Sequence, residues 1–177
     1  MEFKVNSTEL NKLVTKLFSV INSKSPMEIY QNFMVELNEN VLKIYAADVG
    51  LLVTGELNVI TTEEGLQTSF LINAAYLHNI LKTLKDTSIS FEIVPGQRAT
   101  LTTPGGTYNF NILETDNYVL DLPSEESPSF EITLNSGRIK KIIEGTSYII
   151  QENIKPAMMG LVFDFKEDGL RVVGTDG

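Results

Sequence analysis

The 177-residue chain contains no cysteine, so disulfides, thiolate metal sites and cysteine nucleophiles are excluded. It contains one histidine, His78, which leaves almost no material for histidine-rich metal centres or histidine-based catalysis. No apolar run approaches the ~20 residues that span a bilayer. The first residues show no basic segment followed by an apolar run, so no signal peptide is expected. A cytoplasmic location is the expectation. Basic residues are also in deficit: 14 Lys and Arg against 23 Asp and Glu give a net charge of −9. Taken alone, that balance argues against a nucleic-acid binder, whose usual mark is a basic domain.

What is present begins with a repeat. Phe3-Lys4-Val5-Asn6-Ser7 precedes a run with apolar residues at Leu10, Leu13, Val14 and Leu17. About 129 positions later, Ile132-Thr133-Leu134-Asn135-Ser136 precedes Ile139, Ile142 and Ile143. The match resumes with residues 33–37 against 161–165, Leu42 against Leu170, and Asp48 against Asp176. So long a period signals a duplicated domain, because solenoid units are much shorter. The expected organisation is a first domain over 1–122, a polar linker with two prolines over 123–129, and an incomplete second domain over 130–177. The chain reads as the N-terminal portion of a larger protein.

Periodicity predicts a strand over 2–6 and a helix over 7–21 capped by Ser7 or Thr8. Strands are expected over 30–37 and 41–47 around an Asn38-Glu39-Asn40 turn, then over 51–60 and 68–72. Asn73 is placed to cap a second helix over 74–84. Strands over 88–94, 98–103 and 108–113 follow, separated by Pro/Gly turns. The second copy restarts with a strand over 130–134, a helix over 136–150, and strands over 158–166 and 170–174. The expected class is α+β, with two helices per domain packed on antiparallel sheets.

Charge is unevenly distributed over these elements. At 100° per residue, Lys12 and Lys16 lie opposite the apolar face of the first helix. Lys82 lies away from the core side of the second, with Lys85 nearer its flank, and Arg138 and Lys141 lie away from that of the third. With Lys140, and with Lys24 and Lys155 in loops, these make nine of the 14 basic residues. Most acids fall on strands, turns and the linker. Lysines on one exposed helix face are ordinary solvation. Repeated over three helices and two loops, they also fit a surface facing phosphates. Nothing in the pattern suggests base-edge reading or stacking on single strands, so the fitting target is duplex backbone without sequence choice.

The whole chain resembles the bacterial sliding-clamp family, the beta subunits of DNA polymerase III. The resemblance rests on Met1-Glu2-Phe3-Lys4-Val5 before a Leu-rich helix, and on the strands 32–37 and Leu42-Lys43-Ile44-Tyr45-Ala46-Ala47-Asp48. It extends to Ile142-Ile143-Glu144-Gly145-Thr146, to 156–161, and to Val172-Val173-Gly174-Thr175-Asp176-Gly177. It implies the DNA-clamp (processivity) fold, a non-enzyme, and a full-length protein of three such domains. Two subunits would join head to tail in a ring around duplex DNA, with DNA polymerase III and the clamp loader as partners. Carried over by position, Lys24, Lys82 and the loop Gln151 to Lys155 would contact DNA. Met158, Thr175 and Gly177 would form part of a cleft for partner peptides. By itself, the portion in hand is expected to be monomeric or weakly associated. Glu28, Val119 and the Pro156-Ala157 pair depart from the family pattern.

Other constellations carry less. Asp48 and Asp176 end strands in separate copies and read as turn residues, not an acid–base pair. Residues 102–107 read as a hairpin, not a phosphate loop. His78 reads as a surface helix residue. No cofactor is implied. An alternative function is a protein-interaction scaffold of the same fold without DNA binding.

Overall fold

A computed structural model describes residues 1–22, 25, 27–48, 51–62, 65–116, 118, 132–150, 158–166 and 169–176. They fall in two compact units, Met1–Pro123 and Ser124–Gly177. The proposed linker, 123–129, lies outside the described residues.

In both units helices begin where an asparagine follows an apolar residue. In the first unit, strand β1 (Glu2–Asn6) runs into helix α1 (Ser7–Phe18), and β6 (Gln67–Asn73) runs into α2 (Ala74–Thr83). The Asn6 side chain accepts from the backbone N–H groups of Thr8 and Glu9, and Asn73 accepts from Tyr76. These satisfy donors that a helix leaves unpaired in its first turn. Asn6, not Ser7 or Thr8, is therefore the cap of α1. The helix ends three residues earlier than its apolar pattern, since Val20 and Ile21 bond back to Leu17 and Phe18 in a tightened last turn.

A 3-10 turn (Glu28–Gln31) leads into β2 (Asn32–Asn38), β3 (Val41–Asp48) and β4 (Leu51–Asn58). The strand expected over 51–60 divides at buried Val59, and its tail β5 (Ile60–Thr61) joins another sheet. After α2 come β7 (Ser88–Val94), β8 (Arg98–Thr103) and β9 (Gly106–Asn111). All pairings in both sheets are antiparallel: β5-β1-β7-β8-β9 and β4-β3-β2-β6.

This order exposes a repeat shorter than the one read from the sequence. Strand–helix–three strands occurs twice, as β1-α1-β2-β3-β4 and β6-α2-β7-β8-β9. Each half donates its first strand to the other half's sheet. The registers agree: Phe3 and Val5 face Phe91 and Ile89, while Phe70 and Ile72 face Val35 and Phe33. The edges agree as well, for β5 closes onto β1 and Leu113 bridges to Leu71 on β6. Unit 1 has an internal pseudo-two-fold arrangement.

The halves meet in one apolar core drawn from both sheets and both helices. It includes Phe3, Leu10, Val14, Leu17, Phe33, Leu77, Leu81 and Phe91. Leu13 lies on β4 where Gly55 leaves room, and a β-carbon at Gly55 would collide with Leu13 Cδ1. A smaller cluster on the far side of the four-stranded sheet holds Tyr30, Met34, Tyr45 and Tyr118. There the Tyr118 hydroxyl accepts from Ala47 N–H at 3.1 Å, and burial pushes its pKa up to about 12.

In the second unit, Asn135 caps α3 (Ser136–Ser147) by accepting from the N–H groups of Gly137 and Arg138. Strands β10 (Val162–Lys166) and β11 (Gly169–Val173) form a hairpin. Its register copies that of β2 and β3: Val162, Phe163 and Asp164 face Val173, Val172 and Arg171, as Met34, Val35 and Glu36 face Tyr45, Ile44 and Lys43. Gly174 lets the end of α3 close on β11, for a β-carbon there would lie 2.7 Å from Thr146 O. The strand expected over 130–134 is not formed at residues 132–134. In unit 1 the matching strand is held by β7 and β5, and no described residue of unit 2 supplies such neighbours. The strand expected from residue 158 begins at Val162.

Candidate nucleic-acid interface

The exposed sides of α1 and α2 are basic because their other sides are spent on the core. Leu10, Val14 and Leu17 point inward from α1, leaving Lys12 and Lys16 exposed. Ala74, Leu77, His78, Ile80 and Leu81 are buried on α2, leaving Lys82 exposed in its last turn and Lys85 exposed beyond it. Among the described residues, the ion pairs are Lys140 Nζ–Glu144 Oε1 at 3.8 Å and Lys166 Nζ–Asp164 Oδ2 at 3.3 Å. Neither uses a lysine of α1 or α2. Lys16 and Lys82 have a local reason for their places, since cations in a last turn favour the helix dipole. Lys85 does not, and Lys12 has only the neighbouring charge of Asp86.

Two contacts bring these residues together. At the start of α1, buried Ser7 donates its hydroxyl to Lys85 O at 2.8 Å and accepts from Thr87 N–H at 3.0 Å. Asn6 and Thr8 donate to the Asp86 carboxylate at 2.8 and 2.9 Å. Those hydrogen bonds, Asn6 first, hold the Asp86 carboxyl below its usual range, and nearby Lys12 adds to the lowering. The connection carrying Lys85 is thus clasped to the helix carrying Lys12. The sequence pattern marked Ser7 as a cap and missed this clasp. The signal available was a small polar residue at the first helical position, facing inward.

The second contact is His78, which is buried, not on the surface as its helical position suggested. Its ring lies against Phe18 at a centroid distance of 4.3 Å, and Nε2 is 3.3 Å from Thr15 Oγ1. It fills the seam between α1 and α2. Burial, then the charge of Lys82, lowers its pKa, so the ring stays neutral near pH 7. Lys16, beside Thr15, and Lys82, one turn past His78, flank this seam.

The outer sides of the sheets carry both signs, with exposed Lys4 and Arg98 on the five-stranded sheet beside its acids. Glu36 and Glu56 flank Lys43 on the four-stranded sheet, on the side away from the main core. The Tyr45 hydroxyl donates to Glu36 at 2.6 Å there. Glu2 and Glu92 lie side by side on the five-stranded sheet, alternating with core residues Phe3 and Phe91.

In unit 2, Arg138 and Lys141 are exposed on α3. Met158 is half-buried ahead of β10, and Thr175 is exposed beyond β11. Lys24, Gln151, Lys155 and Gly177 lie outside the described residues, as do Val119, Pro156 and Ala157. Glu28 opens the 3-10 turn and is exposed. Asp48 accepts from the Ser25 hydroxyl at 3.3 Å. Residues 103–106 form the β8–β9 hairpin, with Thr103 Oγ1 bonded across it to Gly106 O. No cluster of metal-ligating side chains occurs among the described residues, and no described helix is long and apolar enough to cross a membrane.

Known proteins share this architecture. The chain is similar to the beta sliding clamp of Chlamydia trachomatis, with 22% identity over 178 residues, covering 100% of this chain and 42% of that protein. The beta sliding clamp of Chlamydia pneumoniae matches at 20% identity and 47% of its length. Among solved structures, Caulobacter crescentus pol III beta superposes with a TM-score of 0.86 at 19% identity, over 100% of this chain and 48% of that one. The beta subunit from DNA polymerase of Streptococcus pyogenes gives 0.86 at 19% identity, over 99% and 47%. The chain therefore spans under half the length of these relatives. The sequence profile of the DNA polymerase III beta subunit, N-terminal domain, matches residues 1–122. By that match, over more than half its length, the chain belongs to the DNA polymerase III beta subunit family.

Proposed function

We propose that the chain is the first domain and part of the second of a replication sliding clamp, a processivity factor and not an enzyme. The complete protein would close head to tail as a ring around duplex DNA in the cytoplasm. A clamp loader would open it, and it would tether DNA polymerase III. Lys12, Lys16, Lys24, Lys82, Lys85, Arg138, Lys141, Gln151 and Lys155 would contact phosphates without reading bases. Met158, Thr175 and Gly177 would form one wall of a cleft for partner peptides. The observation that carries this reading is the basic helix face: unpaired lysines on the outer sides of α1 and α2, where Glu9 is the one acid, against sheet faces that mix Glu2, Glu36, Glu56 and Glu92 with Lys4, Lys43 and Arg98.

Topology would do most of the holding, so individual contacts can be weak and the ring can slide. The test is charge reversal of Lys12, Lys24, Lys82 and Lys141 to glutamate in the complete protein. Loading and processivity should fall. The salt dependence of DNA binding should flatten by roughly one counterion for each lysine that no longer neutralises a phosphate. Unchanged processivity would remove the DNA role from this face. It would favour a protein-interaction scaffold, a reading supported by the dipole-compatible places of Lys16 and Lys82.

A further inference from the structure

One carboxylate stands among the lysines of unit 1 and is fixed there. Asp86 follows Lys85 in the connection after α2, and its Oδ1 accepts from Asn6 Nδ2 at 2.8 Å and from Thr8 Oγ1 at 2.9 Å. Thr8 lies one turn before Lys12 on α1, and both are on the side of the helix opposite Leu10, Val14 and Leu17. The exposed Asp86 carboxylate therefore sits at the head of the Thr8–Lys12 stripe. Its two hydrogen bonds, with help from Lys12, keep it ionised. Lys12 acts on it as a neighbouring charge, not as a direct ion pair among the described residues, so the lysine stays available to a phosphate.

Two features separate Asp86 from a general surface acid. Glu9, the acid on α1 itself, lies about 100° round the helix from Thr8, and no side-chain hydrogen bond holds its carboxylate among the described residues. Nor does the fold demand a charge at Asp86. The Ser7 hydroxyl already clasps the connection to α1 through Lys85 O and Thr87 N–H. Counted from the caps, Ala74 and Ala75 take the places of Ser7 and Thr8 at the start of α2, and neither side chain can hold an acid.

We propose that Asp86 is a fixed counter-charge on the lysine face, which weakens its hold on phosphates so that an enclosing ring can slide. This rests on the reading of that face as turned to DNA. A carboxylate pinned beside Lys12 repels a phosphate approaching that lysine, and it cannot swing aside as an unheld acid can. Enclosure keeps the ring on the duplex, so contacts can be short-lived without loss of retention.

The test measures, by fluorescence anisotropy, the affinity of the complete protein carrying this chain for a short linear duplex. Asp86→Asn keeps an oxygen that can accept from Asn6 and Thr8 and removes the charge. It should tighten binding by roughly two- to threefold at ~50 mM salt, and the gain should shrink toward ~0.3 M as the charges are screened. Lys12→Ala should weaken binding, and Glu9→Gln should gain less than Asp86→Asn. Circular dichroism of Asp86→Asn should match the parent, since Ser7 still clasps the connection. Unchanged or weaker binding in Asp86→Asn, with Lys12→Ala weakened, would overturn the counter-charge and leave the DNA-facing reading standing. Unchanged binding in both would overturn the two together. An equal gain from Glu9→Gln would reduce the effect to net charge and also overturn the proposal.

Discussion

Val14 in α1 is fully buried, whereas its counterpart Ile143 in α3 is 40% exposed. The two helices begin with the same asparagine cap, and each precedes a hairpin of the same register. Local structure in the two units is therefore equal and burial is not. A strand–helix–hairpin half carries the information for its own cap, turns and register. In unit 1 its apolar face is covered by the other half, and the described residues of unit 2 form no such second half. Isolated two-stranded ribbons are marginal in water, so most of the stability should reside in unit 1.

Truncation at equivalent positions should break this comparison most sharply. Phe3 is buried and stacked on Phe91 at 5.0 Å, so Phe3→Ala should cost about 3–5 kcal/mol in urea unfolding. Ile132→Ala in dilute chain should cost no more than about 0.5 kcal/mol, because that side chain is half in water. Similar losses would mean that unit 2 has a core of its own.

Removing the caps should have a smaller effect, separable by hydrogen exchange. Asn6→Ala should lose about 1 kcal/mol and speed exchange throughout unit 1, because Asn6 also holds Asp86. Asn135→Ala should speed exchange in α3 and leave unit 1 unaffected. Faster exchange in unit 1 as well would break the comparison.

The smallest effect is a pH dependence confined to unit 1. The pKa of His78 is lowered in the folded state, by burial first and Lys82 second. Below about pH 6.5 the unfolded chain binds a proton that the folded chain resists, so stability falls as pH drops from that point toward the folded pKa. Urea midpoints at pH 7.5 and 5.5 should differ less in His78→Gln than in the parent chain. In α3 the same place, counted from the cap, is taken by Lys140 and not by a histidine.

Much of this was legible in the sequence. Alternating apolar residues located β7 and β8 to the residue, and the long repeat anticipated the shared register of the two hairpins. The division of 51–60 between two sheets was hidden, because an apolar residue at 59 continues the strand pattern while the chain changes partners. The short repeat inside unit 1 was hidden too, since only an apolar–Asn–small triplet survives: Val5-Asn6-Ser7, Ile72-Asn73-Ala74 and Leu134-Asn135-Ser136. The lysine faces followed from helical periodicity alone. Burial of His78 did not, because it depends on how α1 meets α2. Nor did the grip of Ser7 on residues 85–87, a contact between distant parts of the chain.

The central functional claim is that this fold holds DNA by enclosure, with the basic helix faces turned to the phosphates. The most direct test loads the complete protein carrying this chain onto nicked circular duplex with a clamp loader, then cuts the circle. The account predicts retention on the circle and rapid loss from the linear form at the same salt. Equal retention before and after cutting, or equal loss from both, would contradict it.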